Sequence, residues 1–227
     1  MLKNFTRLLI ILIFATTTAF AELVIDVQGV SQPTPVAIVP FGFEVSLPGV
    51  PLDISAVIKG DLLRSGRFAP MAENDMLQKP TDGADVDFDD WSVLGVEAVV
   101  VGKLIQQRGS DAYTLQFQLF DIFRRKQLIG FRMPATRATM RAAAHRAADM
   151  IYEELTGIKG VFGTKLAYVT AEQQSDGRLY SLMVSDQDGE NDHPILESKD
   201  PIMSPAWSPD SRQLAYVSFE GSKSSIF

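Results

Sequence analysis

Lys165-Leu166-Ala167-Tyr168-Val169-Thr170 returns as Gln213-Leu214-Ala215-Tyr216-Val217-Ser218, 48 positions further along the chain. The next apolar pair, Leu179-Tyr180, returns as Ile226-Phe227 at an offset of 47. A period of about 45 residues built from short strands is the spacing of a propeller blade, a unit that buries its apolar face only by stacking on its neighbours. Hairpin-turn pairs, Asp176-Gly177 and Asp188-Gly189, punctuate the first copy. Ser204-Pro205-Ala206-Trp207-Ser208-Pro209-Asp210-Ser211 leads into the second. Residues 163–227 are therefore expected to begin an all-β propeller. They number 65, whereas closing a ring of four blades takes about 180. The expectation is an incomplete propeller, about one blade and part of a second, at the front of a longer protein.

Upstream of the repeat the texture is different. Residues 96–105, with Ala98-Val99-Val100-Val101 inside them, are nearly continuous aliphatic material, as in a strand covered on both faces. Ala112-Tyr113-Thr114-Leu115-Gln116-Phe117-Gln118-Leu119-Phe120 alternates strictly, which puts Tyr113, Leu115, Phe117 and Leu119 on one face. A further strand over 127–133 completes an antiparallel meander. Residues 136–155 predict a long helix, with Met140, Ala143, Ala144, Ala147, Ile151 and Leu155 as its apolar stripe and Gly157 as its stop. Before the meander, Val36-Ala37-Ile38-Val39-Pro40-Phe41 reads as a strand. Residues 52–63 read as an amphipathic helix between Pro51 and Gly66, and 67–71 as a short strand. Five aspartates between Asp82 and Asp90 surround a short helix ending near Leu94. Residues 36–157 thus predict an α+β domain, a mixed sheet with packed helices, and 158–162 link it to the propeller.

The first 21 residues read as an export signal. Lys3 and Arg7 precede an unbroken apolar run from Leu8 to Phe14, and small residues end in Ala19-Phe20-Ala21, placing cleavage between Ala21 and Glu22. From Leu8 to Ala21 there are fourteen apolar or small residues, short of the roughly 20 that cross a bilayer. The mature chain is expected in the periplasm, with no membrane span. Its start, Glu22-Leu23-Val24-Ile25-Asp26-Val27-Gln28-Gly29-Val30, alternates as a strand does. Ser31-Gln32-Pro33-Thr34-Pro35 follows as a stiff interruption. Residues 22–35 are accordingly expected to be a strand segment on a tether.

Composition argues against an enzyme. The 227 residues contain no cysteine and only two histidines, His145 and His193, so a disulfide scaffold, a thiol nucleophile and a His-rich metal site are all excluded or poorly supplied. The formal charge of −7 becomes −9 once the signal is removed, which disfavours nonspecific nucleic-acid binding. There is no nucleophile elbow, phosphate loop, dinucleotide fingerprint or H-E-x-x-H. No catalytic residue, metal or cofactor is expected. Asp186, Asp188 and Glu190, with Glu197, mimic a calcium loop, but Asn191 occupies the position that needs glycine and Pro194 interrupts it. A hairpin turn is the expectation there. The aspartates between 82 and 90 read as a solvated acidic loop. Arg137, Arg141 and His145 suggest a basic stripe on the long helix, read as a solvated or interdomain face, with anion binding as the alternative.

Pro205-Ala206-Trp207-Ser208-Pro209-Asp210, followed by Leu214-Ala215-Tyr216, resembles the repeat of TolB-type propellers, with Ser211 where that repeat usually has glycine. The junction from Tyr152 to Val169 and the stretch Phe88-Asp89, Trp91, Leu94 to Gly102 are also similar to the TolB family of the periplasmic Tol–Pal system. The resemblance implies a non-enzymatic adaptor that supports outer-membrane invagination during division, envelope integrity and colicin uptake. It further implies that residues 22–32 form the box that binds the C-terminal domain of the inner-membrane protein TolA, and that the propeller binds the outer-membrane lipoprotein Pal. On the residues alone, 22–30 read somewhat better as an edge strand of the domain. Alternative functions are the gating propeller of an exported serine peptidase and a periplasmic ligand-binding propeller.

Overall fold

One strand organises the first half of the molecule because its two faces are both covered. In β4 (Ala98–Gln106), Val99 and Val101 are buried on one side of the sheet and Ala98, Val100 and Leu104 on the other. The computed structural model describes residues 32–44, 52–107 and 110–227. The export signal, its cleavage point at Ala21 and Glu22, and the strand segment Glu22 to Val30 lie outside the described residues. Every element below belongs to the compact unit Pro33–Phe227.

The sheet around β4 is mixed. β1 (Thr34–Ile38) and the short β2 (Gly42–Glu44) both run parallel to β4, and β3 (Phe68–Pro70) runs parallel to β1 on its far side. β5 (Ala112–Asp121) and β6 (Lys126–Thr136) continue antiparallel, giving the order β3-β1-β4-β5-β6. β1 starts two residues earlier than the proline pattern predicts. Thr34 N–H donates to the Arg67 carbonyl and the Pro35 carbonyl accepts from Glu97 N–H. Pro35 is tolerated because pairing with β4 begins one residue later, at Val36 opposite Ala98. β6 likewise extends past its expected end through Pro134, which an edge strand accommodates.

Helices cover both sides. α1 (Ile54–Arg64) starts where Asp53 accepts a hydrogen bond from Ala56 N–H at 3.0 Å. α3 (Met140–Thr156) ends where Gly157, at φ 70°, donates to the Glu153 carbonyl. The two pack on one face with Ile54, Ile58, Leu62, Ala144, Ala147 and Ile151 buried against Leu115 and Phe117. On the opposite face lies α2 (Phe88–Val93), whose N-terminus is capped by Asp87 and whose one buried residue is Trp91. α3 starts four residues later than expected, because Thr136 and Thr139 close a hydrogen-bonded turn ahead of it. Arg137 therefore falls outside the helix and pairs with Asp111. The predicted three-residue basic stripe does not form.

Beyond the linker, β7 (Lys165–Gln174), β8 (Gly177–Asp186) and β9 (His193–Ser198) form one antiparallel sheet. β10 (Ile202–Trp207), β11 (Leu214–Ser218) and β12 (Ser225–Ile226) form the next. The repeated Leu-Ala-Tyr-Val strands are β7 and β11. Ser211 sits at φ 56°, the left-handed region that an L side chain adopts at a cost, which gives a physical reason for the glycine usual in such repeats. The architecture is the expected one, an α+β domain followed by the start of a β propeller.

Candidate functional site at the domain junction

Helical spacing puts Arg141, His145 and Asp149 on one stripe of α3, each a turn from the next. Facing them, α1 presents Asp61 and Arg64. Asp61 stands at the i+7 position of the apolar series Ile54, Val57, Ile58, Leu62, so the amphipathic pattern that buries α1 also buries a carboxylate. The third contributor is the end of β8 and the turn that follows it, which carry Asp186 and Asp188.

The side chains interlock. His145 Nδ1 lies 2.7 Å from Asp61 Oδ2, and Arg64 donates to Asp61 Oδ1 at 2.5 Å. Arg141 donates to Asp188 Oδ2, and Arg64 approaches the same oxygen at 3.5 Å. Lys165 donates to Asp186 Oδ1 at 2.7 Å, and Asn191, at φ 54°, donates to Oδ2 at 2.5 Å. The side chains of Asp61, His145 and Asp188 are 0%, 2% and 4% exposed. Charges buried this deeply persist only when paired, and here each carboxylate has a cation.

Electrostatics follow from the pairing. Burial alone would raise the Asp188 carboxyl. The Glu190 N–H, the Arg141 guanidinium and the His145 ring outweigh it and hold that group below the usual carboxylate range. Asp186 is held low in the same way, burial being overcome by Lys165, Asn191 and His145. Asp149 goes the other direction. Its burial and the nearby Asp61 charge raise it, although Phe162 N–H and Gly163 N–H donate to it at 2.6 and 3.0 Å.

Asp61, His145 and Asp188 bring three ligand atoms within 4.8 Å of one another. The Asp61 and Asp188 carboxylates are already hydrogen-bonded to Arg64 and Arg141, whose fixed positive charges oppose a cation in the same space. The arrangement is an ion-pair clasp between two helices and the first blade.

Asp149 extends the clasp to the linker. Its carboxylate receives the N–H groups of Phe162, in the linker, and Gly163, just beyond it, while Phe68, Tyr152 and Phe162 stack edge to face at 5.9 and 5.5 Å. Gly160 fits beneath: a Cβ there would lie 2.5 Å from Asp149 Cα. Gly160→Ala is expected to push the linker off α3 and lower stability by about 1–3 kcal/mol, measured as a shift in the urea midpoint. An unchanged midpoint would show that the linker can move away freely.

Other acids singled out in the sequence have separate local tasks. Asp82 accepts from Ala84 N–H and Lys103, Asp87 caps α2, Asp89 pairs with Arg125 and Asp90 accepts from Gln78. They gather no common site. The calcium-like acids at 186 and 188 point at Lys165 and Arg141 instead of a shared centre, and His145 belongs to an interdomain face. Asp61 and Arg64 belong to no sequence motif; the signal that identifies Asp61 is an acid at a core position of a helical stripe.

Family models for the TolB amino-terminal domain and the TolB beta propeller domain match residues 23–128 and 152–227. The Tol-Pal system protein TolB of Nitrosococcus oceani is 48% identical over 221 residues, 96% of this chain and 50% of the relative. That of Thioalkalivibrio sulfidiphilus is 44% identical over 221 residues, 96% of this chain and 51% of the relative. The crystal structure of TolB from Acinetobacter baumannii superposes with a TM-score of 0.75 at 34% identity, covering 86% of this chain and 46% of that one. The chain thus spans about half the length of the curated relatives it matches. Among the described residues, no helix is long and apolar enough to cross a membrane.

Proposed function

Because the chain belongs to the TolB family, we propose that it serves the Tol–Pal system as a non-enzymatic adaptor in the periplasm. In this reading residues 22–32 bind the C-terminal domain of TolA, and the propeller that begins at β7 takes Pal. The link between inner and outer membrane supports envelope integrity, invagination at division and colicin uptake. The observation that carries the reading is the pair of family matches, one on each side of the junction.

The proposed TolA contact is a strand addition. Leu23, Ile25 and Val27 alternate with Val24 and Asp26 in the sequence, so a partner's sheet edge that bound the segment as a strand would draw affinity from main-chain bonds and selectivity from side-chain sockets on one side. Among the described residues, β1 begins at Thr34, whose N–H donates to the Arg67 carbonyl. Deleting residues 22–32 is therefore expected to abolish capture of the TolA C-terminal domain in a pull-down, with thermal unfolding nearly unchanged. Ile25→Asp should do the same. Unchanged TolA capture would refute the assignment, and a large loss of thermal stability would make the segment an edge strand of the domain.

A further inference from the structure

The imidazole of His145 has one ring nitrogen satisfied and one not. Nδ1 is hydrogen-bonded to Asp61, whereas Nε2 has no hydrogen-bond partner among the described residues, although the ring is 2% exposed. The atom nearest in charge terms is Asp188 Oδ2, at 3.7 Å. A neutral imidazole donates from one nitrogen and accepts at the other. As the carboxylate that accepts from Arg64, Asp61 takes a hydrogen bond from Nδ1 when that nitrogen carries the proton. A neutral ring would then aim the Nε2 lone pair at a second carboxylate, with both groups out of water. Arg64 and Arg141 already donate to these carboxylates, and only the doubly protonated ring turns an N–H of the imidazole toward each of them as well.

The surrounding charges point the same way. From α1 come Asp61 and Arg64, from α3 Arg141 and Asp149, from the end of β8 and the turn that follows it Asp186 and Asp188, and from β7 Lys165. Four carboxylates face three permanent cations, which leaves one negative charge for His145 to neutralise. Within this cluster Arg141 Nε is a second buried donor without a hydrogen-bond partner among the described residues, 3.6 Å from Asp186 Oδ2. Both gaps are within about 1 Å of hydrogen-bond length. Both span helix to blade.

We infer that His145 carries a second proton when the first blade is seated, and that this proton is the latch holding the β8–β9 turn to α1 and α3. Lifting Asp188 away removes the reason for the proton, so opening of the junction releases it. By linkage, a folded state that holds a proton the open state lacks is stabilised by it, and that contribution falls as pH rises. At the acid end, Asp186 and Asp188 are held low, so their contribution fails only as they become protonated.

Ring ¹⁵N spectroscopy of the labelled chain tests this directly, because His193 is the only other histidine and is exposed. At pH 7.5 both nitrogens of His145 are expected to show the protonated signature, and Asp188→Asn should return the ring to a single proton. A bare, accepting Nε2 in the unaltered chain would overturn the inference, as would a doubly protonated ring in Asp188→Asn. Amide exchange at the β8–β9 turn gives a second readout. After correction for intrinsic rates, opening of the turn should grow with pH by no more than about tenfold per unit, the limit for one linked proton. In His145→Gln that slope should vanish; the same slope in the variant would place the proton elsewhere.

Discussion

Asp61→Ala is expected to destabilise the α+β domain by about 3–5 kcal/mol, the usual result of removing one member of a buried charged pair. The side chain is fully buried and is the common acceptor for His145 and Arg64. Arg64, at 43% exposure, can turn to water when Asp61 is gone. His145 cannot. Its ring would face an apolar gap on one side and lose the partner that fixes its Nδ1 proton. Asp61→Asn retains an acceptor without the charge and should cost less, about 1–3 kcal/mol. Urea denaturation of the three proteins measures the series. An Asp61→Ala midpoint equivalent to a loss below 1 kcal/mol would mean that the clasp contributes geometry but little stability. The variant has a second expected effect: with α1 detached from the cluster, the β8–β9 turn should exchange its amides faster, while β4 and β5 keep their protection.

How far the sequence predicts this arrangement depends on whether a feature is periodic. The meander was legible because alternation in 112–120 admits only one choice of inward face, and Tyr113, Leu115, Phe117 and Leu119 are indeed buried. The stripe on α3 was legible for the same reason at helical period. Element ends were less so, since they are decided by single hydrogen bonds: Asp53 for α1, the Thr136–Thr139 turn for α3 and the Pro35 carbonyl for β1. The clasp is different in kind. Asp61 and His145 are 84 positions apart, and Asp188 reaches them through a turn whose acids imitate a calcium loop in one dimension. Local spacing assigned those acids to each other, whereas the fold assigns them to arginines and a histidine on distant helices. Ser211 shows the converse. A departure from the repeat's usual glycine is accommodated at φ 56° without loss of the strand pairing that follows.

Trp91→Ala should match or exceed the effect of Asp61→Ala, about 3–5 kcal/mol, through an unrelated mechanism. α2 has six residues, too few to persist on intrinsic helix stability. It is held by the Asp87 cap at one end and by Trp91, 0% exposed, packed into the cluster of Val99, Val101, Phe120 and Ile122. Loss of the indole leaves a large void over the outer face of β4 and releases the acidic stretch above it. The indole N–H has no hydrogen-bond partner among the described residues, so the loss is one of packing. Trp91→Phe, which keeps a ring and removes the orphan donor, should recover most of the stability. Because Trp91 and Asp61 lie on opposite faces of the sheet and share no partner, the double variant should be additive within about 0.5 kcal/mol. Coupling well above that would mean that the two faces of β4 unfold as one cooperative unit, and the junction could not open while the sheet stayed intact. Additivity, with accelerated exchange in the β8–β9 turn only in the Asp61 variants, is the result expected of a domain whose propeller-side clasp is energetically separate from its core.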